Sequence, residues 1–487
     1  MHKRFALSTI VTYALALILL RAQGTMPEIP RTWDDQSVVA MEVPLANPAF
    51  SPRQVTAGYY YRMAVRPIHK TYPVYAPGHE PPGYIEWLRQ QEPEVVFDPA
   101  LLRTEADWIR AGELVFDAPI NFEDIARSPA RSPEFYANSG VRLAADGTLP
   151  HKRYVVRKSG VVEVGNLSCG QCHTRVMPDG AVIKGAQGNF PEGHFFAARP
   201  RRLLAEGRPA AAVRARVRLA LRQLYGAPWI QPPPDGDAAM PLDDILRAWE
   251  SSPPGVAIRQ GTSLRHPAQV PDLIGIRDRK YLDHTGLVRH RSIGDLMRYA
   301  ALNQDAQDLA SYGGFVPQGR DFRDVPDPKT RSRYSDAQLY ALALYLYSLK
   351  PPPNPHRFDA LAARGKEVFT REGCARCHTP PLYTNNKLTP APGFDIPPDH
   401  TARFDIVPRS VGTDPTAALG TRRGTGYYKV PSLKGVWYRG PFQHNGAVAT
   451  LEDWFDARRL GAVNGHEYGL DLTDDEKRAL IAFLKTL

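Results

Sequence analysis

Past residue 20 the sequence has no apolar run long enough to cross a bilayer, which excludes a protein built of several membrane spans. It has only four cysteines in 487 residues, and none of its seven methionines lies beyond Met297. The remaining chain therefore offers no methionine sulfur to a metal. Acidic side chains are outnumbered, 51 against 61 lysines and arginines, giving a net charge of +10. The arginines are scattered, with small groups at Arg199, Arg201 and Arg202 and between Arg214 and Arg222. Charge so dispersed implies a solvated basic surface and no nucleic-acid partner, the alternative being steering toward an acidic protein partner.

Proline is abundant, with 46 residues, and its clusters break the periodic stretches. That favours short helices joined by irregular loops over a regular sheet. At the N-terminus, His2, Lys3 and Arg4 precede an uncharged run from Phe5 to Leu20, the pattern of an export signal over residues 1–24. Sixteen residues is short for a span, so a cleaved signal is the first expectation and a retained anchor the second. The protein is expected in the periplasm or another extracytoplasmic space, touching a membrane only if that segment is kept.

All four cysteines fall in two Cys-x-x-Cys-His units, Cys169-Gly-Gln-Cys172-His173 and Cys374-Ala-Arg-Cys377-His378. On a helical turn, positions i, i+3 and i+4 share a face. Two thiols can then form thioethers with a porphyrin while the histidine reaches its iron, the pattern of c-type haem attachment. Two covalently bound c-type haems are expected, with His173 and His378 as proximal iron ligands. The competing reading is a four-thiolate zinc site, which leaves both histidines unexplained.

The two halves repeat one pattern. Val270-Pro-Asp-Leu-Ile-Gly275 with His284-Thr-Gly286 matches Val430-Pro-Ser-Leu-Lys-Gly435 with His444-Asn-Gly446, fourteen residues from Val to His in both. Ser335-Asp-Ala-Gln338 and Thr473-Asp-Asp-Glu476 are capping boxes that open closing helices, with Leu342, Leu346 and Leu349 or Leu480, Leu484 and Leu487 as the apolar stripe. Ala111-Gly-Glu-Leu-Val-Phe116 parallels Arg364-Gly-Lys-Glu-Val-Phe369 on the opening helices. Lys350-Pro-Pro-Pro-Asn-Pro355 reads as a stiff linker between the copies. The first copy is enlarged between Phe116 and Cys169 and near Pro232 to Pro254, where a substrate pocket would form. Residues 25–98, rich in tyrosine and proline, are expected to wrap the first copy as extended chain. The expected fold is mainly α, with copies over 99–350 and 356–487.

The haem motifs, the Val-Pro-x-Leu loop, the His-x-Gly turn and Thr450-Leu-Glu-Asp453 resemble the bacterial di-haem cytochrome c peroxidase superfamily, including its tryptophan-modifying and rubber-oxygenase branches. The resemblance covers roughly residues 100–487 and is most specific over 425–487. It implies two tandem cytochrome c domains whose haems face a shared interface, one haem for peroxide or oxygen chemistry and one for electrons. It also implies a small redox protein, a cytochrome or cupredoxin, and a small-molecule oxidant or substrate as partners. Such peroxidases usually supply a methionine fourteen residues past the His-x-Gly histidine; here that residue is Arg458. His466 resembles the rubber-oxygenase ligand and is the preferred second ligand of the C-terminal haem, ahead of His444 and His400, with His356 near the linker less attractive. Near the first motif, His194 is the candidate catalytic acid/base or distal ligand, with Glu192 as a possible carboxylate partner and a plain loop histidine as the alternative. A di-haem oxidoreductase is the leading expectation, and a non-catalytic electron carrier its rival.

Overall fold

The computed structural model describes residues 27–225, 240–257, 264, 266–311 and 327–487. The export-type N-terminus and Pro232 to Pro234 lie outside them. Helix accounts for about 40% and strand for 14% of the structure, the strands in several small sheets. Among the described residues, no helix is long and apolar enough to cross a membrane.

Four helices carry the repeat: α1 (Glu105–Asp117), α2 (Asp336–Ser348), α3 (Ala360–Arg371) and α4 (Asp474–Lys485). Capping boxes close the N-termini of α1, α2 and α4, with Thr104, Ser335 and Thr473 as caps, so each helix begins where its first backbone donors find side-chain acceptors. α1 crosses α2 at Gly112, where a methyl group would overlap the Ala341 carbonyl and lie 2.7 Å from Tyr345 Cβ. α3 crosses α4 in the same way at Gly365, against the Ala479 carbonyl and 2.8 Å from Phe483 Cβ. The glycines thus let two backbones touch at equivalent positions of both halves. Val115, Phe116, Leu339, Leu342 and Leu346 fill the first core, and Val368, Phe369, Leu480, Phe483 and Leu484 the second.

The enlarged part of the first half holds a four-stranded antiparallel sheet, contrary to the expectation of irregular loops. Strands β1 (Thr71–Tyr75), β2 (Asn121–Asp124), β3 (Thr148–Lys158) and β4 (Val161–Asn166) lie in the order β1-β3-β4-β2. Lys158 pairs with Val161 across Ser159-Gly160, and Gly160 turns the chain at φ of 79°, a left-handed conformation that glycine adopts without steric cost. Tyr72, Val74, Leu149, Tyr154, Val156 and Val164 pack from this sheet onto Phe135, Phe190 and Phe195.

Residues 27–98 also differ from the expected extended chain. They form short helices at Asp35–Met41, Ala57–Arg62 and Tyr84–Arg89 besides strand β1. Their order comes from burial against other segments, which leaves no internal periodicity to read: Trp33 and Tyr60 are fully buried, stacked 4.8 Å apart, in the core shared with α2. The Pro-rich linker follows the end of α2 without regular structure, and Asn354 Nδ2 donates to the Lys485 carbonyl at 2.9 Å.

Candidate functional site

Each Cys-x-x-Cys-His unit forms one helical turn. In the first, Ser168 caps the turn Cys169–Cys172 by accepting from Gln171 N, and His173 N donates to the Cys169 carbonyl at 2.9 Å. In the second, His378 N donates to the Cys374 carbonyl at 2.9 Å over a 3₁₀ turn. The cysteines are not joined in disulfides. Among the described residues, no group of three or more His, Cys, Asp or Glu is placed to hold a metal ion, so the four thiols do not converge on a zinc site.

The Val-Pro loops orient the two histidines. Nδ1 of His173 lies 3.0 Å from the Pro271 carbonyl, and Nδ1 of His378 lies 3.2 Å from the Pro431 carbonyl and 3.2 Å from that of Tyr383. A carbonyl can only accept, so Nδ1 carries the proton and Nε2 keeps the lone pair that a metal requires. An arginine nine residues after each valine braces its loop. Arg279 donates to the Asp272 and Ile274 carbonyls, and Arg439 to those of Ser432 and Lys434.

His466 comes to the second motif from a clamped loop. Arg459 donates to the carbonyls of Val463, Gly465 and His466, and His466 N donates to the Val411 carbonyl at 2.6 Å. The His466 backbone is held at φ of 49°, uncommon for a side-chain-bearing residue. Its ring lies 6.3 Å from that of His378 and 5.2 Å from that of Trp454, with Nδ1 buried and unpartnered. Burial, then repulsion from His378, pushes its pKa down to about 4, so the imidazole is neutral. Two imidazoles on opposite faces of one metal ion have ring centres roughly 6 Å apart, from about 2 Å per metal–nitrogen bond and about 1 Å from nitrogen to ring centre. The residues of this half therefore fit a metalloporphyrin between His378 and His466.

The other histidines are engaged elsewhere. His400 Nδ1 meets Tyr427 Oη at 2.9 Å. His444 stacks on Tyr428 with ring centres 4.6 Å apart, and burial pushes it down to about 4. His284 Nε2 donates to the Gln269 carbonyl at 2.5 Å. The two turns exchange backbone bonds: Gln269 N donates to the His444 carbonyl at 2.8 Å, and Lys429 N to the His284 carbonyl at 2.9 Å.

Near the first motif, His194 is half-buried in the opening turn of the helix Glu192–Ala205, and Glu192 is buried. The charge central to this region is one that motif reading missed. Lys152, 1% exposed on β3, donates to Gln171 Oε1, between the two cysteines, at 2.9 Å and to Asn166 Oδ1, with its ammonium 3.7 Å from the Phe195 ring centre. Burial pushes it down to about 8, opposed by the carboxylates of Glu123 and Glu192. No sequence signal singles it out, because Lys152 stands in the polar run His151-Lys152-Arg153.

No protein-family model matches the chain. It is 30% identical over 140 residues to cytochrome-c peroxidase IdrP2 of Denitromonas iodatirespirans, covering 25% of this chain and 38% of that protein. It is 27% identical over 135 residues to methylamine utilization protein MauG of Methylorubrum extorquens, covering 26% and 34%. The match thus spans little more than a third of these relatives. Among solved structures, a Kuenenia stuttgartiensis hydrazine synthase chain aligns over 57% of this chain and 88% of its own at 18% identity, with a TM-score of 0.30, too low to bear on the fold.

Proposed function

The chain is a relative of the di-haem cytochrome c peroxidase superfamily, and from that premise we propose that it is an exported di-haem oxidoreductase. The haem at Cys169 and Cys172, on His173, is the reactive centre for peroxide, oxygen or a small substrate. The haem at Cys374 and Cys377, on His378 and His466, is the electron relay. The 6.3 Å separation of the His466 and His378 ring centres supports this reading and carries it. When bound, c-type haem supplies one-electron chemistry, and a face without a protein ligand supplies a site for a small oxidant.

The chain's own residues prepare the asymmetry. Pro271 and Pro431 fix the tautomer of His173 and His378, while Arg459 holds the loop that presents a neutral His466. Trp454 and Tyr468 pack on the His466 ring and keep it from turning away. Beside the first motif, Lys152 places a hydrogen-bond donor and a titratable proton close to Gln171.

Electron paramagnetic resonance of the oxidised holo-protein tests the assignment. The wild type should give one low-spin signal from the second haem, and His466→Ala should convert it to high spin. A low-spin spectrum untouched by His466→Ala would overturn the ligand assignment. Two low-spin haems indifferent to peroxide and carbon monoxide would make the protein a non-catalytic carrier.

A further inference from the structure

The two Val-Pro loops line a small, partly open cleft where the halves of the chain meet. Pro271 and Pro431, whose carbonyls hold the two proximal histidines, line it from opposite sides, along with Arg279, Arg439 and Lys429. Arg279 and Arg439 occupy equivalent places in the repeat. Lys429 has Gln269 as its equivalent, so its positive charge is an addition of the second half.

Three cations thus face one cleft, and the carboxylates nearby are committed. Asp272 accepts from Tyr438 Oη at 3.2 Å and lies 3.9 Å from Arg279. Asp283 pairs with Arg423 and accepts from Tyr299 Oη at 3.0 Å and His284 N at 2.8 Å. Among the described residues, Lys429 Nζ makes no hydrogen bond or ion pair with a carboxylate. Burial and the two guanidinium groups push Lys429 down to about 7, with only Asp283 pulling upward. A concentration of half-buried cations is costly until an anion joins it, and a charge-assisted bond to an oxyanion is what this arrangement can form.

We propose that the cleft is an oxyanion site, with a carboxylate or phosphate group seated against Lys429 and backed by Arg279 and Arg439. The proposal rests on the di-haem reading for one of its two sources, a haem propionate; the other is a free oxyanion from solution. A propionate held there would place positive charge next to a haem and favour its reduced state, while a free anion would make haem potential depend on solution composition.

The test uses holo-protein with wild-type Lys429, with Lys429→Gln, which installs the residue of the equivalent position, and with Lys429→Arg. Inorganic phosphate binding is measured by calorimetry, and both midpoint potentials by spectroelectrochemistry at fixed ionic strength with and without phosphate. A free-oxyanion site binds one phosphate per chain, at least tenfold more weakly in Lys429→Gln and retained in Lys429→Arg. A propionate site shows no phosphate binding, but the potential of at least one haem falls in Lys429→Gln and is restored in Lys429→Arg. Unchanged potentials together with no Lys429-dependent phosphate binding would overturn the proposal. Pyridine haemochrome counting runs alongside: a count other than two haems per chain defeats the di-haem reading and leaves the phosphate result to judge the cleft.

Discussion

Two single residues do work that no motif announces. Arg459 fixes three carbonyls of the loop that presents His466, so Arg459→Ala should loosen the ring without removing it. On the di-haem reading proposed above, the expected outcome is a mixed low-spin and high-spin second haem at ambient temperature, read by absorption spectroscopy, with the first haem unaltered. Lys152 titrates near 8 in the folded chain against 10.5 ordinarily. Up to pH 8 the fold bears the full cost of a buried ammonium. As pH rises from 8 toward 10.5 the folded chain has released a proton that the unfolded chain still holds, so stability increases by about 3 kcal/mol from this group. Denaturant titrations at pH 7.5 and 10 should show that rise in wild type and lose it in Lys152→Met. His466 stood out among the few histidines that follow the last methionine by its likeness to the rubber-oxygenase ligand. Lys152 did not, since its partners lie on separate elements and no fixed spacing links them.

At the scale of elements, the repeat was legible wherever it rests on local chemistry. Capping boxes and leucine stripes fixed α2 and α4, because both depend on residues within two turns. Gly112 and Gly365 were visible as matching letters, but their purpose is a close crossing with helices more than a hundred residues distant in sequence. Gly112→Ala and Gly365→Ala should each destabilise the chain by about 1–3 kcal/mol through overpacking, measured by thermal unfolding. The hairpin of β3 and β4 had a readable signal in its β-branched runs around Ser159-Gly160, which the proline content obscured. The Val-Pro loops were legible as a repeat and illegible as a device, since Pro271 acts on a histidine 98 residues away.

Across the whole molecule, the halves are joined by groups from both. Arg175 donates to the Gly440 carbonyl at 2.9 Å, and Gln187 Nε2 to that of Pro441 at 2.7 Å. Lys280 and Asp405, an exposed pair at 3.2 Å, add little. Removing Arg175 and Gln187 together, as Arg175→Ala with Gln187→Ala, should uncouple the halves. Denaturant unfolding followed at the haem absorption band is then expected to split from one transition into two, whereas a single transition at unchanged midpoint would show that the remaining contacts, Asp283 with Arg423, Asp272 with Tyr438 and the reciprocal backbone bonds, suffice.

Those reciprocal bonds, Gln269 to His444 and Lys429 to His284, have the logic of a homodimer contact folded into one polypeptide. Each patch meets its own counterpart, as across a two-fold axis. A symmetric pair of subunits must change both copies of a residue at once. Here the two copies are separate positions in one gene, so Lys429 can face Gln269 and Ser432 can stand for Asp272 while the shared backbone contact stays the same. The join between the halves is therefore the place where two like modules can acquire different charge, one residue at a time.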